Sequence, residues 1–113
     1  MIKNVTNGAV IATEHTLCRS LFSRVRGLMF ARKPKTLIME FPKEQVIGIH
    51  MMFVFFPIDV LWLDKDKKVV AMRKNLKPFS LATPLKVARY VIEFPTGTIR
   101  KNIVALGNVI TWH

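Results

Sequence analysis

The stretch Ile49–Asp64, IHMMFVFFPIDVLWLD, carries only three polar side chains: His50, Asp59 and the closing Asp64. A membrane helix needs about 20 uninterrupted apolar residues, and here Pro57 and Asp59 interrupt the run. β-Branched and aromatic residues dominate it, so it reads as buried strands. From Pro57 onward, alternation puts Ile58, Val60 and Trp62 on one face and Asp59, Leu61 and Leu63 on the other. Asp59 therefore shares an otherwise apolar face. A carboxylate buried there needs hydrogen-bond donors or a cation. Backbone N–H groups or an arginine from SRVRG, residues 23–27, are the structural ways to satisfy it. The functional alternative makes it a site residue. His50 poses the same choice between a satisfied core or rim histidine and a ligand-facing one.

The flanking sequence reads as more strands. IKNVTNGAVIAT, residues 2–13, predicts a hairpin turning at Asn7-Gly8, with Val5, Val10 and Ala12 on its inner face. TLIMEF, stopped by Pro42-Lys43, and QVIGIHMMF precede IDVLWLD; KVVAMRKNL, RYVIEFP and NVITWH follow it. KPFSLATPLKVA is a loop, and TGTIRKN a turn or one helical turn. Leu17, Leu21, Val25 and Leu28 recur at helical spacing, predicting a helix over about 17–26 with Thr16 as N-cap and Gly27 beyond its end. The sum is a single α+β domain over residues 1–113. It is β-rich, with a curved, mostly antiparallel sheet or partial barrel and one main short helix.

The chain has 113 residues, half of them hydrophobic, enough for one core. Eighteen Lys and Arg against seven Asp and Glu leave a formal charge of +11, which favours anionic partners: a small anionic ligand, an acidic protein or nucleic acid. No nucleic-acid-binding signature accompanies the charge. The single cysteine, Cys18, excludes an internal disulfide and a cysteine-based zinc site, and fits a cytoplasmic location. The N-terminus shows no secretory pattern. His15, His50 and His113 are widely separated, so no metal and no cofactor is expected. There is no glycine-rich phosphate loop and no nucleophile elbow. Met29, Met39, Met51, Met52, Phe53, Phe55 and Phe56 read as core; if exposed together, they would line a ligand groove.

Four motifs in order, RVRGLMF, IHMMFVFFPIDVLWLDKDKKVV, LKP and VIEFPTGTI, resemble those of a known family. The chain resembles domain of unknown function 192, small proteins of bacteria and archaea. The matching positions are Arg24, Gly27, Leu28 and Met29; His50, Met51, Pro57, Ile58 and Asp59; Pro78; and Glu93, Pro95 and Gly97. The resemblance implies a compact β-rich α+β domain and no particular activity. Other members carry a Trp-Met-Lys-Asn version at the His50 position, so it implies no histidine chemistry. They usually have glycine where this chain has Lys67.

The leading functional expectation is a non-enzymatic binding module. Arg24 and Arg26 would clamp an anionic or polar ligand. His50 would donate a hydrogen bond, Asp59 would orient Arg24 or His50, and Asn75 lies on a second basic edge, RKNLK. Gly27, Met51, Pro57 and Gly97 would be structural. The alternative is a hydrolytic or proton-transfer enzyme with His50 as base and Asp59 orienting it, which requires the two to meet. A basic nucleic-acid-associated protein is the second alternative.

Overall fold

The computed structural model describes the backbone of residues 1–113 and every side chain except those of Leu21 and Phe22. Along the chain the elements are β1 (Ile2–Asn4), β2 (Val10–Ala12), β3 (Thr16–Cys18), α1 (Leu21–Arg26), β4 (Leu37–Val46), β5 (Ile49–His50), β6 (Ile58–Leu63), β7 (Val69–Leu76), β8 (Leu81–Ala82), β9 (Val87–Pro95), α2 (Thr98–Lys101) and β10 (Ile110–Trp112). The fold is a β-rich α+β domain. Its main sheet has the order β3-β4-β9-β6-β7, and smaller sheets are formed by β10-β1-β2 and by β5-β8. All the pairings are antiparallel except β3 with β4.

β6 shows why the hydrophobic run folds as it does. All six of its residues are buried, because packed layers cover both faces of the sheet. Ile58, Val60 and Trp62 join a core with Leu28, Met39, Ile47 and Met51. Leu61 and Leu63 join a second core on the other face with Ile2, Ile38, Ile92, Phe94, Ile99 and Ile110. Trp62 satisfies its indole N–H on the carbonyl of Ile47 at 2.9 Å.

Several local readings change. Residues 16–18 form a strand rather than the first turn of the predicted helix, pairing in parallel with Leu37–Met39. The helix begins at Leu21, and its cap is Ser20, whose hydroxyl accepts the Ser23 N–H at 3.1 Å. The predicted apolar stripe runs through Leu21, whose side chain lies outside the described residues. In the N-terminal hairpin, Val5 and Val10 are exposed, while Ile2, Asn4 and Ile11 are buried. The connection is five residues long rather than two, and Asn4 organises it by accepting the N–H groups of Thr6 and Asn7. β4 does not stop at Pro42. Its pairing with β9 is interrupted between Glu40 and Gln45, and the proline sits where no ladder bond is required. β5 retains only two residues of the long second strand.

Lys67 occupies the position where the resembling family has glycine, and its backbone lies in the left-handed region at φ +62°. A side chain costs about 1–2 kcal/mol there. The turn is held by Asp64, whose carboxylate accepts the N–H groups of Asp66 and Lys68. The Lys67 ammonium lies 4.2 Å from the centroid of the Trp112 ring. That cation–π contact, worth about 0.5–1 kcal/mol at an exposed site, offsets part of the strain and ties the turn to β10.

Candidate functional site

β9 carries the residue around which the site is built. Val91 faces the first core while Ile92 and Phe94 face the second, so alternation sends Glu93 toward the first. Its neighbours across the ladders are Leu37 of β4 and Val60 of β6, both apolar. Glu93 is 4% exposed, and its Oε1 has no hydrogen-bond partner. Burial pushes its pKa up to about 7, because an apolar surrounding penalises the charged form. The thiol of the nearby Cys18 is also pushed up, first by burial and then by the Glu93 charge. It is a poor nucleophile at neutral pH.

Glu93 lines a cleft of about 480 Å³ between the end of α1, β4 and the segment leading through β5. Met39, Ile47 and Val54 give the cleft apolar walls, and Arg24, Arg26 and His50 also line it. Arg24 is braced: its Nη1 donates to the Glu40 carbonyl at 3.3 Å, and its guanidinium carbon lies 4.8 Å from the centroid of the Phe41 ring. Its Nε is buried without a partner. Glu93 and Arg24 line one cleft without forming an ion pair, since the Arg19–Glu40 contact is the salt bridge among the described residues. His50 accepts the Met52 N–H on Nδ1 at 3.3 Å, which leaves the proton of the neutral ring on Nε2 as a donor.

Gly27 lines the cleft beside Glu93. Its backbone is at φ +48° and ψ −123°, outside the ordinary range of L residues. A Cβ built there would stand 3.3 Å from the Met39 methyl and 3.6 Å from Glu93 Oε1. Gly27→Ala is expected to cost about 1–2 kcal/mol through the backbone and to crowd the Met39 methyl. Denaturant unfolding checks the first effect. A Gly27→Ala protein as stable as the parent would show that the backbone at this position is not constrained.

The structure separates the residues that sequence reasoning grouped. Asp59 is 1% exposed. Its Oδ1 accepts the Asn75 N–H and its Oδ2 the Ile99 N–H, each at 2.9 Å. It thereby caps α2, whose N-cap residue Gly97 has no side chain to do so. Its face of β6 is that of the second core, whereas Ile49 and Met51, which flank His50, belong to the first. His50 and Asp59 thus lie on opposite sides of the sheet. The pairing that the enzyme alternative requires does not form, and Asp59 orients neither His50 nor Arg24. Asn75 is likewise away from the cleft; its side-chain oxygen accepts the Thr96 hydroxyl at 3.1 Å. Arg24, Arg26 and His50 do come together. Met51 is fully buried, Pro57 precedes β6, and Gly97 takes φ +90° before α2. Sequence reasoning passed over Glu93 as a site residue. The available signal was the one used for Asp59, a carboxylate alternating with apolar residues in RYVIEFP.

Part of the expected core is on the surface. Of the residues read as core, Met52, Phe53 and Phe55 are more than 40% exposed, and so are the neighbouring Phe30 and Phe79. Phe30 stacks on Phe53 at 5.0 Å, and Phe79 meets both Phe53 and Phe55 edge-on. Phe30, Phe53 and Phe79 all have positive φ. The N–H of Phe30 bonds the Phe53 carbonyl, and that of Phe79 bonds Met51. The patch adjoins the cleft through Met29 and Val54. Among the described residues no group of three His, Cys, Asp or Glu is placed to hold a metal ion. No helix among them is long and apolar enough to cross a membrane.

Known relatives agree with this picture of the fold. A UPF0127 protein, TK1120, of Thermococcus kodakarensis is 38% identical over 99% of this chain and 73% of its own length. A second, PF1050 of Pyrococcus furiosus, is 34% identical over 97% and 96%. A crystal structure of a putative transcription regulator from Sinorhizobium meliloti superposes with a TM-score of 0.87 at 20% identity, covering 97% of this chain and 88% of that one. One of a protein of unknown function from Novosphingobium aromaticivorans gives 0.81 at 18%, covering 87% and 74%. At these identities the two structures show the fold alone. The model of domain of unknown function 192 (DUF192, Uncharacterized ACR) matches residues 2–112, and the chain belongs to that family.

Proposed function

We propose that the domain is a binding module for a small polar or anionic molecule held in the cleft between α1, β4 and β5. One observation carries this reading: a buried carboxyl, Glu93, without a partner for Oε1 in an apolar-walled cavity. An unpaired buried polar group costs about 1–3 kcal/mol, and a ligand that reaches it recovers that loss. A largely apolar cavity with a few convergent polar groups is also the usual anatomy of a small-molecule site. Arg24 and Arg26 supply positive charge, and His50 an N–H donor at Nε2. Asp59 contributes through the fold, since its oxygens are taken by backbone donors.

Native mass spectrometry of the purified protein tests this. The parent is expected to carry a small-molecule adduct that is at least tenfold depleted in Arg24→Ala. An adduct retained equally by Arg24→Ala, or no adduct in the parent, would count against the cleft as a ligand site.

A further inference from the structure

The two polar ends of the cleft are spaced along a single strand. Glu93 stands opposite Leu37 of β4. The Arg24 guanidinium is fastened to the carbonyl of Glu40, three residues further along the same strand. At about 3.3 Å per strand residue, the two anchor points are roughly 10 Å apart. Met39, whose side chain lines the cleft, lies between them on the strand, with Ile47 and Val54 also in the walls. The cleft is thus an apolar trough with a carboxyl at its buried end and a guanidinium at the other. Arg24, held on the Glu40 carbonyl and the Phe41 ring, forms no ion pair with Glu93. Among the described residues no second acid or histidine completes a metal site around Glu93.

We propose that the ligand is an elongated amphiphile with an ammonium group at its inner end, against Glu93, and an anionic group at its outer end, against Arg24. This rests on the cleft being the binding site and names the class of molecule it takes. An ammonium in contact with Glu93 makes charge-assisted hydrogen bonds, the strong kind, and supplies the cation that a desolvated carboxylate lacks. The outer anion meets a guanidinium already held in place, so little side-chain freedom is lost on binding. The apolar body covers Met39, Ile47 and Val54. Gly27 leaves out a Cβ that would stand 3.6 Å from Glu93 Oε1.

Binding also moves a proton. The empty carboxyl titrates at about 7, and an adjacent ammonium holds it ionised. Below that pH the ligand must expel a proton from Glu93, so affinity falls as the solution is acidified.

The test uses three probes of matched chain length: 8-aminooctanoate, octanoate and octylamine. Isothermal titration calorimetry is run on the parent, Glu93→Gln and Arg24→Gln. The parent is expected to bind 8-aminooctanoate at least tenfold more tightly than octanoate. Its binding should release a proton at pH 6, read from titrations in buffers of different ionisation enthalpy. Glu93→Gln should abolish both the preference and the proton release. Arg24→Gln should weaken 8-aminooctanoate and octanoate but leave octylamine unchanged. If octanoate binds as well as 8-aminooctanoate and only Arg24→Gln weakens it, the cleft remains a ligand site and the ammonium subsite is overturned. If no probe binds the parent, the amphiphile proposal is overturned, and the adduct experiment still decides whether the cleft holds another ligand. Preservation of the preference in Glu93→Gln also overturns the proposal.

Discussion

Asp59→Ala is expected to lower stability by about 3–6 kcal/mol, a large part of the roughly 5–15 kcal/mol of a typical domain. The substitution strips two backbone N–H groups, those of Asn75 and Ile99, of their acceptor at once. Each stranded donor costs about 1–3 kcal/mol, and hydrogen bonds to a charged acceptor lie at the upper end. The N-cap residue of α2, Gly97, has no side chain to replace it. The unfolding temperature should fall by on the order of 20 °C. Asp59→Asn keeps one acceptor oxygen and turns an NH₂ toward the other N–H, so an intermediate loss is expected. Asp66→Asn, on the exposed turn, should stay within about 0.5 kcal/mol. Urea unfolding of the three variants checks the order. An Asp59→Ala midpoint equal to that of the parent would remove the carboxylate from any bracing role.

Glu93 should give the domain an inverted carboxylate pH profile. Its folded-state pKa, about 7, lies above the ordinary glutamate value of 4.5. Between these values the folded state holds the proton more often than the unfolded state does. Stability therefore falls as pH rises from about 4.5 through about 7 and levels off above it. The size follows from the shift at 1.36 kcal/mol per unit, about 3 kcal/mol. Glu93→Gln cannot ionise, so this fall should disappear, leaving the variant more stable than the parent at pH 8.5 relative to the difference at pH 4.5. Denaturant titrations at the two pH values provide the comparison. A parent domain more stable at pH 8.5 than at pH 4.5, with the same change in Glu93→Gln, would mean that Glu93 titrates normally.

These two carboxylates show which features sequence makes visible. The alternation in residues 58–63 depends only on strand geometry, so the two faces of β6 are legible at once. The burial of Asp59 follows from the same pattern, but its partners lie 16 and 40 residues away and are backbone groups with no sequence signature. Glu93 obeys the same rule, although its cleft exists only because α1, β4 and β5 converge. The start of the helix is misread for a related reason. The parallel pairing of Thr16–Cys18 with Leu37–Met39 is non-local and overrides a local 3.6-residue period. Arg24, Arg26 and His50 could be grouped in advance because two belong to one helix end and the third to the family motif. Nothing along the chain showed that His50 and Asp59 would be parted by the sheet.

The cluster of four phenylalanines has a consequence for how molecules of this domain meet one another. Sticky aromatic surfaces on two copies attract at contact, whereas a charge of +11 on each repels from further away. The range of the repulsion is the Debye length, about 10 Å at 0.1 M salt and 3 Å at 1 M. In dilute salt the copies are turned back before the rings touch; in concentrated salt they are not. The colloidal behaviour of the domain is therefore set by ionic strength, with its high net charge acting as the dispersant for the surface that its strained phenylalanines keep in the open.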